Sequence, residues 1–525
     1  MARNTPPPIR AHTTPAESLK TTSHASQSFY AQIAIKTSLA IFIGAVLSGF
    51  AAYATRMVLT RALSVTEYGL FYGVFSFVSF FLLFRDFGLP TAIIKYVADF
   101  HAKKKNNELK TALVSVTLVQ FVSSVIIAVV LFAFADSIAT SYFKEPKAAL
   151  LLKFFVVYIF TSLFAILLKA ILTGFRSKFF PFFELFKNTT NLLFLLVAAP
   201  LSLGILLPLF GQIISWIVMM GICAYLLLKY HFRFFDYHLT NLKSSTTLMF
   251  SFGLPVMLAS IGYQVIGQMD TLFLVYLRTL EEVGVYNTVL PASLVFLLFG
   301  KSVADIIFPL FAEMWAKHEH HKIQQGVAEV YKYGFILSAP VLLFFFVYAR
   351  LFLELSFGLV YGAGAQAFQI LLIGILFYIM VMINNHILAA IGKPGITTKI
   401  VLGSAVLNII LNLIFIPPFG MGGAALATSL SYLTMLLFST LYVAKELSVA
   451  PPWLFWTKSF VAGGVYLAVA YGLEEVLASM VFYLRIPFIF LIACAVYVLA
   501  LFLLRIVSWQ EVQEKKRLLL RVFAR

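Results

Sequence analysis

Charge is the scarcest property of this 525-residue chain: Asp, Glu, Lys and Arg supply 12% of it, against 61% apolar residues. A soluble domain carries about 25% charged and 45–50% apolar residues. Too few polar side chains remain to cover a surface in water, which excludes a soluble enzyme, a nucleic-acid-binding domain and a disordered scaffold. Cysteine is nearly missing. Cys223 and Cys494 sit in apolar runs far apart, so neither a disulfide framework nor a paired-cysteine metal site is available. The strict apolar/polar alternation of a transmembrane β-barrel is lacking too; unbroken runs such as 125–135 and 486–504 stand instead. No cleavable signal is expected, because residues 1–36 are polar and rich in Pro, Thr and Ser, with Pro6, Pro7 and Pro8 in a row. They read as a disordered tail.

What remains is an all-α polytopic membrane protein of mean hydropathy +0.94. At roughly 20 residues per crossing, the sequence divides into fourteen expected spans: 37–55, 68–94, 111–135, 149–170, 182–201, 205–228, 248–276, 283–309, 333–350, 365–391, 397–416, 422–444, 457–479 and 486–505. The connections are short and leave no room for a soluble catalytic domain.

The net charge of +17 has a topological explanation. With the N-terminal tail placed inside, 29 of the 39 Lys and Arg fall on the inner side. Seven fall outside, namely Arg56, Arg61, Lys144, Lys147, Arg278, Arg350 and Arg485; Arg85, Lys153 and Lys301 lie within spans. Inner loops collect Lys and Arg, so both termini are expected inside and no nucleic-acid partner is needed. The C-terminal segment, with Trp509, Val512, Leu519 and Phe523 among basic residues, reads either as an amphipathic helix on the inner leaflet or as a solvated end of the last span.

The chain also repeats itself. At an offset of 215, the segment 67–84 (EYGLFYGVFSFVSFFLLF) coincides with 282–299 (EVGVYNTVLPASLVFLLF), and the two share seven of 18 positions, including Glu67/Glu282, Gly69/Gly284 and Val74/Val289. An offset of 218 pairs Gly174 with Gly392, Pro200 with Pro418 and Gly204 with Gly422. Two six-span units, 37–229 and 248–445, are therefore expected, joined by an inner linker at 230–247 and followed by two extra spans in 457–505 and a basic tail at 506–525. An even number of spans makes the repeats parallel, with a pseudo-two-fold axis along the membrane normal and a site between the halves.

Charges inside spans are the candidate site residues, since each costs roughly 2.5–3.5 kcal/mol to insert at a helix centre. Arg85 and Asp86 lie in the second span, Lys301 and Asp305 in the eighth, and the 215 offset sets Lys301 against Asp86. Asp270, Arg56 and Lys153 lie toward outer span ends. Each has a plainer reading beside the functional one: pairing that only ties helices, or snorkelling to the interface. Asn384, Asn385 and His386 could meet sugar hydroxyls or bond between helices. Gly88-Leu89-Pro90 and Gly253-Leu254-Pro255 could soften their spans or only kink them. Gly300-Lys301-Ser302 ends like a phosphate-binding loop, but Val295 stands where that motif needs glycine, so no nucleotide cofactor is expected. His318, His320 and His321 read as a solvated loop, and no metal is expected.

Three segments carry a family resemblance: LTRALSVTEYGLFYGVFSFVSFFLLFRDFGLPTAIIKYVA (59–98), DTLFLVYLRTLEEVGVYNTVLP (270–291) and LAAIGKPGITTKIVLGSAVLNIILNLIFIPPFGMGGAALATSLSYL (388–433). In this order they resemble the oligosaccharide and polysaccharide flippases of the Wzx type, within the multidrug/oligosaccharidyl-lipid/polysaccharide exporter superfamily. The resemblance implies a non-enzymatic transporter of polyprenyl-(pyro)phosphate-linked oligosaccharide, moved from inner to outer leaflet of the cell membrane by alternating access. Cationic side chains would hold the phosphate, a proton or sodium ion could couple the cycle, and polysaccharide-assembly proteins are possible partners beside membrane lipid. A cation-coupled multidrug exporter and a lipid II flippase are the alternatives within the superfamily. An integral-membrane polymerase or glycosyltransferase is the alternative outside it, and the large outer loop or Asp-x-Asp motif it would need is missing from the sequence.

Overall fold

A computed structural model describes residues 42–511 apart from 233, together with 513, 514 and 517. The N-terminal tail, and Val512, Leu519 and Phe523 of the expected C-terminal face, lie outside the described residues. The regular structure among the described residues is helical throughout. We label the long helices α1 (Phe42–Ala62), α2 (Val65–Asp86), α3 (Leu89–Ala102), α4 (Asn106–Ala133), α5 (Lys147–Gly174), α6 (Phe183–Ala198), α7 (Leu207–Leu226) and α8 (Leu242–Leu277). There follow α9 (Leu280–Leu294), α10 (Leu297–Ala316), α11 (His320–Val347), α12 (Ala365–Ala390), α13 (Pro394–Leu447), α14 (Trp453–Val476) and α15 (Phe482–Leu503). Lipid offers a backbone no hydrogen-bond partners, so a single segment crosses it only as a helix.

Among the described residues, twelve helices are long and apolar enough to cross a membrane, two fewer than the spans expected. Both differences have a physical cause. The 54 residues of α13 would make a rod of about 80 Å, against a hydrocarbon core of about 30 Å. Gly420 breaks it, with φ 55 and ψ −132 just after Pro417 and Pro418. Asn408 and Thr428 are twenty residues apart, yet their side chains are 3.4 Å apart, where a straight helix would separate them by about 30 Å. The two limbs of α13 are therefore the eleventh and twelfth spans. The eighth span forms as two pieces, α9 and α10, parted at Val295–Phe296. Lys301, Asp305 and Glu313 make α10 too charged to qualify by itself.

The letters shared by the two repeats have local work. Glu67 and Glu282 each occupy the third position of a helix whose cap, Ser64 or Thr279, accepts a hydrogen bond from their backbone N–H at 3.2 and 3.3 Å. Such caps satisfy orphan donors at a helix start. Gly69 and Gly284 let α2 and α9 cross in near backbone contact. A Cβ on Gly69 would strike the Leu280 carbonyl, and one on Gly284 would strike the Val65 carbonyl. Leu280 and Val65 are themselves repeat partners at the offset of 215, so the contact is reciprocal, as a two-fold relation requires. Gly88, at φ 70, ends α2 and starts α3, and its approach to Gly253 of α8 leaves no room for a side chain on either residue. Gly253-Leu254-Pro255, by contrast, runs on inside an unbroken α8.

The extra pair α14–α15 is tied to α11 along its length. Lys332 meets Glu511 at 2.8 Å, the rings of Tyr331 and Trp456 are 5.7 Å apart, and Tyr348 donates to Glu474, which also pairs with Arg485 at 3.0 Å. The molecule is a multi-pass helical membrane protein.

Candidate functional site

Asp270, on α8, is fully buried. Its carboxylate accepts from Tyr286 Oη of α9 at 2.5 Å, from Thr428 Oγ1 at 2.6 Å and from Asn412 Nδ2 at 2.8 Å. Asn412 also donates to Asn408 Oδ1 at 3.1 Å. Both limbs of α13 thus contribute, which explains why the break at Gly420 matters: only a hairpin brings residues 412 and 428 to one carboxylate. No Lys, Arg or His pairs with Asp270 among the described residues. A lone carboxylate in a dry interior is expensive unless its charge is met. Three hydrogen bonds meet part of it. Asn412 Oδ1 is buried beside them without a hydrogen-bond partner among the described residues. One carboxylate with neutral oxygens of Asn408, Asn412 and Thr428 suits a proton or one monovalent cation. Among the described residues no cluster of three His, Cys, Asp or Glu could hold a metal of higher charge.

Arg85 and Asp86 form a different kind of site. Arg85 is 1% exposed, and its Nε lies 2.8 Å from Asp86 Oδ1. Its Nη1 donates to Ile159 O and Ser162 Oγ of α5, both at 3.0 Å, while Asp86 also accepts from Gln120 of α4 at 3.3 Å. The pair joins α2, α4 and α5, with the two charges cancelling.

Lys301 and Asp305 pair at 2.7 Å one turn apart on α10, and both are about half exposed. His386 of α12 approaches Asp305 at 3.7 Å, and neighbouring Asn385 reaches Tyr263 of α8 at 3.4 Å. Lys301, Asp305 and His386 form one polar group between α10 and α12. Asn384, grouped with them by sequence, is instead buried and consumed by Tyr331, Ser439 and Thr440. Lys153 pairs with Asp136 at 3.0 Å on the surface. Arg56 is alone among the seven candidates in bridging the halves, donating to Tyr68 of α2 and to the Asn287 carbonyl of α9.

The seven candidates therefore make their contacts at five places. Tyr286, Asn408, Asn412 and Thr428 were not singled out from the sequence. The readable signal was two amides one turn apart, Asn408 and Asn412, in an otherwise apolar helix.

Comparison with known proteins bears on the family and the fold. Residues 34–315 match the model of a family described as polysaccharide biosynthesis protein, a stretch that includes two of the three resembling segments. An uncharacterized membrane protein of Methanocaldococcus jannaschii is 26% identical over 88% of this chain and 94% of its own length. A probable low-salt glycan biosynthesis flippase, Agl15 of Haloferax volcanii, is 26% identical over 38% of this chain and 43% of its own. Among solved structures, the lipid II flippase MurJ in an inward closed conformation superposes with a TM-score of 0.69 at 16% identity, covering 91% of this chain and 99% of MurJ. An inward-facing multidrug resistance MATE transporter gives 0.65 at 14% identity, covering 77% of this chain and 94% of its own. At these identities the structural likeness speaks for the fold.

Proposed function

Because the chain belongs to the polysaccharide biosynthesis protein family, we propose that it is a flippase carrying polyprenyl-(pyro)phosphate-linked oligosaccharide from the inner to the outer leaflet of the cell membrane. The halves 37–229 and 248–445 rock against each other, both termini stay inside, and no covalent bond is made or broken. The reading is supported by the named flippase among its relatives. It is supported too by a fold match that extends over 91% of the chain for the lipid II flippase and 77% for the multidrug transporter.

The observation that carries the mechanism is Asp270, a buried carboxylate with hydrogen-bond donors but no cationic partner among the described residues. Binding a proton or a sodium ion there neutralises the charge and draws α8, α9 and both limbs of α13 together; release lets them part. That supplies a coupling step linked to an ion gradient. The polar wall of Lys301, Asp305 and His386 meets the head group, Lys301 toward phosphate and Asp305 toward sugar hydroxyls. One contact at 4 Å is worth about 1 kcal/mol in bulk water but about 4 at an effective dielectric of 20, so a few such contacts offset much of the cost of drawing a phosphate off the lipid surface. Arg85–Asp86 braces the first half against that motion, and Lys153 is a surface pair.

The test is delivery of lipid-linked oligosaccharide to the outer leaflet of vesicles or cells, normalised to protein in the membrane. Asp270→Asn should lower delivery and abolish its dependence on sodium or pH. Normal, ion-dependent delivery by Asp270→Asn would remove Asp270 from the mechanism, and absence of delivery by the unaltered protein across lipid-linked glycans would reject the flippase.

A further inference from the structure

Proline has no N–H for the carbonyl four residues before it. Pro291 inside α9 therefore leaves the Asn287 carbonyl without its helical donor. Arg56 supplies one from the other half. Its Nη1 lies 2.7 Å from Asn287 O and 3.1 Å from Tyr68 Oη, and its guanidinium carbon sits 4.5 Å from the centre of the Tyr72 ring. Tyr72 and Asn287 are repeat partners at the offset of 215, so one cation holds both at once. No carboxylate pairs with Arg56 among the described residues. The halves meet around it through Tyr53 Oη and Ser356 Oγ at 2.7 Å and through the crossing of Gly69 and Gly284. Beside this contact lies a cavity of about 400 Å³ lined by Ala52, Arg56, Pro291 and Phe296 among others. Further along α10, Lys301 and Asp305 are open.

The same turn of α9 reaches the buried carboxylate. Tyr286 donates to Asp270 at 2.5 Å, while the next residue, Asn287, accepts from Thr271 at 3.3 Å through its side chain and from Arg56 through its carbonyl. Asp270 and Thr271 are consecutive on α8, as Tyr286 and Asn287 are on α9. Two adjacent rungs thus connect the carboxylate to the contact between halves.

We infer that Arg56 and the carbonyl freed by Pro291 form a latch closing this end of the cleft, and that Tyr286–Asn287 makes the latch respond to what occupies Asp270. The inference rests on the reading of Asp270 as a coupling site. A cation bound at Asp270 competes for the oxygen that Tyr286 holds, and any turn of α9 that moves Tyr286 also moves the Asn287 carbonyl away from Arg56. Arg56 is then a positioning residue for the transport cycle. Any other residue at 291 would add a helical N–H that shares this carbonyl with Arg56 and weakens the latch.

The experiment uses the full chain with Cys223 and Cys494 replaced by alanine, and a membrane-impermeant thiol reagent applied to vesicles of either orientation. The reporters are Ala52→Cys beside the latch and Lys301→Cys on the open wall. Arg56→Gln and Pro291→Ala should each raise labelling of position 52 from the Arg56 end about fivefold or more and lower labelling of position 301 from the other end, since a population moves between two states. Arg56→Lys should restore much of the closure. Labelling at 52 should change with sodium or pH in the parent and lose that response in Tyr286→Phe. Unchanged labelling at 52 in both latch variants overturns the latch. A rise at both ends marks general loosening and overturns it too, and an ion response retained in Tyr286→Phe overturns the link to Asp270. No glycan is used, so loss of the latch leaves the flippase reading standing, and failed glycan delivery leaves the latch result intact.

Discussion

The two halves bury charge in opposite ways. In the first, Arg85 and Asp86 neutralise each other and spend their remaining hydrogen bonds on α4 and α5. In the second, Asp270 stands at the place that the repeat gives to Thr55 in the first, and it is met only by neutral donors. Thr55 merely bonds back to Ala51 in its own helix at 2.9 Å. A buried ion pair whose charges cancel is costly to disturb, since removing one partner strands the other. A carboxylate held by neutral donors still lacks a countercharge, so it can accept and release one. On the proposed reading, the first half is the rigid one and the second the one able to switch.

Breaking the brace should have the largest effect. Arg85→Leu strands Asp86, and removal of one partner of a buried pair costs about 3–5 kcal/mol. Folded protein in detergent should fall sharply by thermal unfolding, and Arg85→Met with Asp86→Asn should recover much of it, since replacing the whole pair is nearly neutral. A stable Arg85→Leu protein with failed transport would move Arg85 from brace to binding site. Next comes the switch. Asp270→Asn should lower glycan delivery by about tenfold or more, equivalent to about 1.4 kcal/mol, at near-normal protein level, and the residual activity should ignore sodium and pH. If it unfolds the protein as Arg85→Leu does, the contrast between the halves fails. Lys301→Gln should lower delivery by a few fold while leaving thermal stability within about 0.5 kcal/mol, the scale of an exposed pair one turn apart on a helix. Lys153→Gln should change neither, because its pair with Asp136 faces outward; reduced delivery there would put the binding wall in the wrong half.

Much of the fold was legible because lipid imposes a one-dimensional rule. A segment either has enough apolar length to cross or does not, and most of the expected spans follow from that rule. Even the divergence at α13 was foreshadowed by Pro417, Pro418 and Gly420, which continue a helix poorly. The repeat showed in Glu67/Glu282, at the third position of capped helices, and in Gly69/Gly284, required by a backbone crossing that leaves no room for a side chain. The site was less legible. Arg85, Asp86, Lys301, Asp305 and Asp270 stood out because charge in an apolar span is conspicuous, but a string of letters does not say whether a charge has a partner. Asn408, Asn412, Thr428 and Tyr286 escaped notice because neutral polar residues are common in membrane helices.

By itself the sequence determined that the chain crosses a membrane many times, because hydropathy acts along the chain. The tertiary structure alone decided that Arg85 is spent within its own half, that Asp270 draws its donors from residues 16, 142 and 158 positions away, and that Arg56 grips a carbonyl 231 residues distant. A hydrogen bond reaches about 3 Å, and only the folded packing of helices brings such separated residues within that reach.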